Sequence, residues 1–186
     1  MKAQSTDEFA YALRIPKDRI AVLIGAKGIE KRELEKATSA KIEVDSKEGV
    51  VTLTGTDALN LYLCREIVLA IGRGFSPELA KLLLKPDYGI ELLNVNDYAK
   101  NENDSIRLKG RVIGEGGKSR RTIEEITGVH IGVYGKTVGL IGELETLSFA
   151  RKAVESLLSG QPHASVYKWL EQRGKEIRKR QLTNSW

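Results

Sequence analysis

The sequence has one cysteine, Cys64, and two histidines, His130 and His163, among its 186 residues. A lone cysteine excludes a disulfide framework within the chain, which is typical of intracellular proteins, and we expect it to be a buried apolar residue of a helix. Neither histidine has a second histidine or a cysteine at the spacing of a metal site. We therefore expect both to be structural, and we predict no metal and no cofactor.

Long apolar segments are also missing. No run approaches the roughly eighteen apolar residues that a membrane span needs. The first residues, MKAQSTDEFAY, lack the apolar core of a signal peptide. We therefore expect a soluble, cytoplasmic protein that makes no membrane contact.

Positive charge is present in moderate excess. Thirty Lys and Arg against 25 Asp and Glu give a net charge of +5. This excess alone does not indicate a nucleic-acid ligand, because phosphate backbones favour cations that are clustered. The positions of the cations therefore carry more information than their number.

The chain contains the same pattern twice. When Gly25 is placed on Gly114, the segments LIGAKGIEKRELEKATS (23–39) and VIGEGGKSRRTIEEITG (112–128) fall into register. The matching positions are Leu23 with Val112, Ile24 with Ile113, Gly28 with Gly117, Leu34 with Ile123, Glu35 with Glu124, Thr38 with Thr127, Ile42 with Ile131 and Val44 with Val133. Such a repeat predicts two similar modules.

Hydrophobic periodicity predicts the element order β-α-α-β-β-α in both copies. In the first copy we expect strands at 9–15, 41–45 and 50–54 and helices at 17–24, 29–37 and 57–71. In the second we expect strands at 89–95, 130–133 and 138–141 and helices at 105–113, 119–126 and 144–158. Extra helices are predicted at 76–84 and 164–180, and a surface loop at 99–105. We place the domains at 1–85 and 86–186.

Two common glycine-rich motifs do not fit these loops. The string GKS at 117–119 resembles the end of a nucleotide P-loop, but that motif needs a glycine where the chain has Val112. A dinucleotide fingerprint starting at Gly114 would need a third glycine where the chain has Ser119. The first copy, GAKG, fits neither motif, so both nucleotide-binding interpretations are excluded.

A third interpretation fits both copies. In each, an Ile-Gly pair ends one helix, a second glycine follows after two residues, and a second helix and β-strands come next. This IGxxG pattern resembles the type I KH domain, a single-stranded nucleic-acid binder. The resemblance implies an α+β fold of two tandem KH domains, each with a three-stranded antiparallel sheet, three helices and one further helix behind it. Glycines let the backbone approach a sugar-phosphate strand, and the start of the second helix favours phosphate.

The resemblance implies an RNA-binding loop beside an apolar groove in each copy. In the second copy we expect RNA contacts from Gly114, Glu115, Gly116, Gly117, Lys118, Arg120 and Arg121, and groove walls from Val112, Ile113, Ile131 and Val133. In the first copy a second RNA site would comprise Gly25, Ala26, Lys27, Gly28, Lys31 and Arg32, with groove walls from Val22, Leu23, Ile42 and Val44. The apolar residues of both sets would equally suit the core of any α+β domain.

The two loops differ in charge. Lys118, Arg120 and Arg121 cluster at the start of a helix, which is unfavourable for the helix itself and favours an anionic ligand. The alternative is an ordinary solvated face of the helix. In the first copy the cations are mixed with acids: Lys27, Glu30, Lys31, Arg32, Glu33 and Glu35. Glu115, at the tip of the second loop, is an acid for which phosphate binding offers no role.

A second cationic segment, RGKEIRKR at 173–180, ends the last predicted helix. Cations suit the negative end of a helix dipole, which is a sufficient structural explanation. The alternative is an auxiliary contact with RNA or with a protein.

The second copy and its C-terminal extension are similar to a particular family. The segments GEGGKSRRTIEEITGVHI and VGLIGELETLSFARKAVESLLSG, followed by Gly160, Pro162, Val166 and Tyr167, resemble the archaeal Dim-two, or partner-of-Nob-one, KH proteins. The resemblance implies an adaptor in small-ribosomal-subunit assembly that binds the ribosomal RNA near its 3′ end. It also implies association with the RNA-trimming endonuclease and with pre-ribosomal particles, and no enzyme activity.

An alternative from another class remains open. One or both modules could instead dock a protein partner through the apolar groove, which would make the chain a protein-interaction scaffold. The bound RNA sequence, the orientation of the modules and the oligomeric state do not follow from the residues.

Overall fold

The computed structural model describes the backbone of residues 8–183 and the side chains of residues 8–176. The chain folds as two units that divide between Pro86 and Asp87.

The first unit carries a three-stranded sheet covered by helices. Its elements are β1 (Phe9–Arg14), α1 (Lys17–Ile24), α2 (Ile29–Thr38), β2 (Lys41–Asp45), β3 (Val50–Gly55) and α3 (Ala58–Gly72). The strands are antiparallel in the order β1-β3-β2. On the central strand Val51 and Leu53 are fully buried, as alternation on a half-covered sheet requires. The side chain of Asp57 caps α3 by accepting hydrogen bonds from the N–H groups of its first turn.

The segment behind α3 differs from its prediction. Ser76 caps α4 (Pro77–Ala80), and a 3-10 turn, Lys81–Leu84, follows. A single helix over 76–84 was therefore wrong in its second half. Pro86 restricts the preceding residue to extended backbone, which Lys85 adopts with φ −76° and ψ 134°, so the helix tightens and ends before it.

The second unit repeats the arrangement. Its elements are β4 (Tyr88–Asn94), α5 (Glu102–Ile113), α6 (Lys118–Thr127), β5 (His130–Tyr134), β6 (Thr137–Glu143), α7 (Leu144–Leu158) and α8 (His163–Thr183). The strands are antiparallel in the order β4-β6-β5. The α+β fold with two tandem β-α-α-β-β-α modules is thus confirmed.

Helix α8 packs on α6 and α7. Val166 and Leu170 enter the core of the second unit, and Trp169 meets Phe149 edge to face at 6.3 Å between ring centroids. Neither α8 nor any other helix in the described part of the chain combines the length and apolar character that crossing a bilayer requires.

The predicted surface loop at 99–105 was wrong in its second half. The side chain of Asn101 accepts a hydrogen bond of 3.0 Å from the N–H of Asp104, so that α5 begins at Glu102. The string N-E-N-D is polar but forms the cap and first turn of a helix, and its acids suit the positive helix end. Polarity alone had indicated a loop.

Cys64 lies on α3 with no exposed surface and forms no disulfide, as expected for a buried apolar role. Burial raises the pKa of its thiol, which disfavours the thiolate.

A glutamate that recurs in both copies joins the second helix to the following strand. Glu35 Oε1 accepts a hydrogen bond of 2.9 Å from the N–H of Ile42, and Glu124 Oε1 accepts one of 2.7 Å from the N–H of Ile131. The match between these glutamates in the sequence therefore has a structural cause. Each glutamate thus joins its helix to a strand residue seven positions later in the chain.

We expect the Glu35→Gln variant to lose less stability on acidification than the wild type. Burial opposes ionisation, but the hydrogen bond from Ile42 N–H and the ion pair with Lys31 hold the pKa of Glu35 below its usual 4.5. A carboxyl group with a lowered pKa stabilises the fold above its unfolded pKa, and this contribution is lost as the pH falls through the folded pKa. Melting temperatures measured above and below pH 4.5 should therefore differ less in the variant. An equal difference would show that the fold does not favour the ionised form of Glu35.

Candidate nucleic-acid interface

Both glycine loops begin at a glycine that no other residue could replace without strain. Gly25 has φ 71° and ψ 177°, and Gly114 has φ 74° and ψ 169°, a region essentially confined to glycine. A Cβ on Gly114 would lie 2.6 Å from the backbone nitrogen of Ser119, and one on Gly25 would lie 2.5 Å from Cγ of Glu30. The first glycine of each loop is therefore required by the fold itself.

The middle of the loop is different. Lys27 has φ 53° and ψ 24°, and its counterpart Gly116 has φ 55° and ψ 23°. No atom lies within 4 Å of a Cβ placed on Gly116. A side chain is therefore compatible with this position, as Lys27 demonstrates. Ala26 and Glu115, which precede these residues, are both exposed.

The last glycine of each loop starts the second helix. Gly28 precedes α2 and Gly117 precedes α6, both in the left-handed region and neither with a side-chain cap. The N–H groups of the first helical turn therefore have no side-chain acceptor. Together with the positive end of the helix dipole, they favour an anion such as phosphate.

The second loop is the more cationic of the two. Arg121 Nη1 would lie 3.1 Å from a Cβ on Gly117, which places the guanidinium over the loop. Lys118 and Arg121 are exposed and form no ion pair with any residue the structure describes. Arg120 Nε lies 3.8 Å from a Glu124 carboxylate oxygen, so that its charge is partly balanced.

Acidic side chains offset the charge around the first loop. Lys31 is paired with Glu35 at 2.9 Å. Glu30 and Glu33, on the same helix, bind Lys81 at 2.8 Å and 2.6 Å. Lys27 and Arg32 remain as the exposed cations of the predicted first site. The first loop therefore has the backbone of the second with a weaker positive field.

Comparisons with known proteins agree with this geometry. A family model described as KH domain matches residues 11–70, and one described as Eukaryotic type KH-domain (KH-domain type I) matches residues 89–175. The KH domain-containing protein MJ0443 of Methanocaldococcus jannaschii is 48% identical over 93% of this chain and 78% of its own length. The crystal structure of Dim2p from Pyrococcus horikoshii OT3 has a TM-score of 0.82 at 46% identity, covering 88% of this chain and 99% of that one.

The chain belongs to the Dim2p family of KH-domain proteins. A second solved structure that matches, from the same organism, is the a/eIF2alpha-aDim2p-rRNA complex, with a TM-score of 0.85 at 46% identity over 91% of this chain and 96% of that chain. The RNA-binding protein pno1 of Drosophila melanogaster is 31% identical over 60% of this chain. This chain spans about half the length of that relative, 47%.

The KH groove predicted from the sequence is partly wrong. Val112, which was expected to line it, has no exposed surface, and Leu23, Ile42 and Ile131 are at most 4% exposed. Val112 shares the buried face of α5 with Leu108, one turn earlier. These four residues hold the cores of the KH domains together. Of the remaining predicted wall residues, Ile113 is exposed and Val22, Val44 and Val133 are half-buried.

An exposed stripe on α5 was predicted only in part. Ile106 is 56% exposed, Gly110 is exposed with open space around it, and Ile113 is 37% exposed. Their spacing of i, i+4 and i+7 places them on one helical face that ends at the second glycine loop. The predicted helix at 105–113 contains all three residues, but only Ile113 was predicted to contact RNA.

The C-terminal cationic segment is described only in part. Arg173 binds Glu176 at 2.6 Å on an exposed turn of α8. The side chains of Arg178, Lys179 and Arg180 lie outside the described residues, so their predicted RNA or protein contact stays a prediction.

Proposed function

We propose that this chain is a single-stranded RNA-binding adaptor that attaches to small-subunit ribosomal RNA near its 3′ end. One observation carries the proposal: the second loop places an uncapped helix start beside two cations, Lys118 and Arg121, that lack ion-pair partners among the described residues. The relative that crystallised in a complex with rRNA shares 46% of its sequence with this chain, which supports the choice of ligand.

The proposed contact has two parts. The phosphates of the strand lie against the backbone of Gly114, Gly116 and Gly117 and within reach of Lys118 and Arg121, where the positive end of the α6 dipole and the cations coincide. The bases lie over the exposed face of α5, where Ile106 and Ile113 offer apolar surface. Glycine at position 110 leaves room for a ring to approach that helix closely.

The first KH domain provides a weaker second site. Its loop has the same backbone, but Lys31 is paired with Glu35, and Glu30 and Glu33 share a single cation, Lys81, which reduces the attraction for phosphate. Contact there depends on Lys27 and Arg32, with Gly25, Ala26 and Gly28 supplying the backbone.

The proposed role is binding and positioning rather than catalysis, because the candidate site consists of backbone amides, cations and apolar side chains. The family resemblance supports two further partners, the endonuclease that trims this RNA and pre-ribosomal particles. The proposed setting is the cytoplasm.

The experiment measures affinity against salt concentration, using a single-stranded oligonucleotide with the sequence of the 3′ end of small-subunit ribosomal RNA. Affinity should fall as salt rises, because cation–phosphate contacts release counterions. The Arg121→Ala variant should reduce the log–log slope by about one. The control is Arg151→Ala on α7, which removes the same charge from a guanidinium bonded to Glu91 and Glu155 and should leave the slope unchanged.

Two results would contradict the proposal. Equal affinity for a scrambled oligonucleotide of the same length would remove the assignment to ribosomal RNA. Absence of binding to either oligonucleotide would favour a protein-docking scaffold instead.

A further inference from the structure

A cavity of about 260 Å³ opens beside the second glycine loop. It is lined by Gly114, Glu115, Lys118, Ser119, His163 and Tyr167. The start of α8 thus forms one wall, and the loop with the first turn of α6 forms the other. The volume lies below the roughly 300–1,000 Å³ of pockets for drug-sized ligands, and it suits a single planar ring system.

Ser119, which lines the cavity, carries a hydroxyl with an unmet hydrogen-bonding capacity. The residue is 2% exposed, and its hydroxyl oxygen has no hydrogen-bond partner among the residues the structure describes. A buried unpaired hydroxyl destabilises a protein unless a ligand or water supplies its partner. The corresponding residue of the first KH domain is Glu30, whose carboxylate is satisfied by Lys81 at 2.8 Å. The polar side chain at this position is therefore paired in the first copy and unpaired in the second.

The α8 wall is aromatic. The rings of His163 and Tyr167 lie 5.9 Å apart and are tilted by 59°. His163 Nε2 lies 2.8 Å from the carbonyl oxygen of Arg111, which can only accept, so Nε2 donates and the ring is held in place. Aromatic side chains that line a cavity beside a bound strand are typical stacking partners for unstacked bases.

We propose that this cavity receives a guanine base extruded from the RNA strand that the glycine loop holds; the inference rests on the proposed function. The carboxylate of Glu115 accepts hydrogen bonds from N1–H and the N2 amino group of guanine. The Ser119 hydroxyl, whose oxygen is shielded in the unliganded loop, turns toward the cavity by rotation about χ1 and donates to O6, while the Lys118 ammonium donates to N7. A ring of the α8 wall stacks on the base. The acid at the loop tip, which has no role toward phosphate, then reads the base.

The other bases fit less well. Guanine alone presents two adjacent N–H donors on its Watson–Crick edge, which a carboxylate accepts in parallel. Adenine and cytosine each place an acceptor nitrogen beside the amino group, and this lone pair would face the carboxylate. Uracil offers a single N–H donor.

The test is selection of binders from a randomised single-stranded RNA pool by the full chain and by Glu115→Gln. We expect the wild type to favour guanine at one position by about tenfold, the discrimination that a good two-bond base contact gives. The variant should lose this preference. Its affinity for a pool without guanine should stay equal or rise, because a negative charge beside phosphates is removed. A purely repulsive role of Glu115 would raise affinity for both pools.

Ser119→Ala and inosine provide independent measurements. The alanine variant keeps the Cβ and removes the unpaired hydroxyl, so its melting temperature should not fall, while its affinity for guanine-containing RNA drops several-fold. Inosine, which lacks the N2 amino group, should weaken binding to the wild type but not to Glu115→Gln.

RNA binding without guanine preference, or a preference that survives Glu115→Gln, would overturn the guanine site and leave the proposed function standing. A wild type that binds no RNA would overturn both.

Discussion

The Gly116→Asp variant will bind single-stranded RNA at least about tenfold more weakly than the wild type while remaining folded. The aspartate adds a second acid next to Glu115, where phosphates are expected to meet the backbone, and the loss of about 1.4 kcal/mol corresponds to tenfold in affinity. The fold should tolerate the change because no atom lies within 4 Å of the new Cβ, and Lys27 already adopts this backbone in the first copy. Aspartate is also among the residues that enter the left-handed region most readily.

The matched control is Gly116→Lys. It makes the same demand on the backbone with the opposite charge and reproduces the residue found in the first copy. Its affinity should equal or exceed that of the wild type in a filter-binding or fluorescence-anisotropy titration. A folded Gly116→Asp protein with unchanged affinity would show that the second loop is not part of the RNA site.

The Gly114→Ala variant should lower the free energy of unfolding of the second KH domain by roughly 3 kcal/mol. Its φ of 74° with ψ of 169° is strained for any residue with a Cβ, and such strain costs about 1–3 kcal/mol. The new methyl would also lie 2.6 Å from a backbone nitrogen at Ser119, which cannot move without displacing the first turn of α6. The loss would therefore include both strain and steric overlap.

Chemical denaturation followed by the fluorescence of Trp169, in a Trp186→Phe background, measures this loss. Gly128→Ala provides the control, because Gly128 also has a positive φ, 71°, but no atom within 4 Å of a new Cβ. The control should lose about 1–2 kcal/mol, the cost of the left-handed backbone alone. Equal losses of unfolding free energy in the two variants would show that steric overlap with Ser119 does not contribute to the loss at Gly114.

Local patterns allowed much of the fold to be predicted. Helix Lys17–Ile24 and strand Lys41–Asp45 were predicted with their observed bounds, because a glycine or a change of period marks each end. The internal repeat strengthened the prediction of the fold, because any interpretation of one glycine loop had to fit the other loop as well. The start of α5 was missed because Asn101 and its neighbours are as suitable for a helix cap as for a loop, and only the backbone decides between them.

Tertiary packing determines the parts of the site that the sequence did not reveal. Val112 and Ile113 are adjacent apolar residues, and nothing local says that Val112 packs into the core while Ile113 stays exposed. His163 and Tyr167 reach the second loop only because α8 packs back on α6, some forty residues earlier in the chain. His163 was therefore assigned only a structural role, which its bond to Arg111 supports but which leaves out its place in the cavity wall.

The glutamate hydrogen bonds between helix and strand bear on how fast RNA would bind. With Glu35 joined to Ile42 and Glu124 to Ile131, the helix behind each loop and its neighbouring strand move as one body. The loop that precedes this helix is then held on a preorganised support, and the ordering cost of association falls on the flexible RNA strand rather than on the protein. Encounter would not wait for a rearrangement of the protein, so the association rate would be set by diffusion and charge. Affinity differences among RNA sequences would then arise mainly in the dissociation rate.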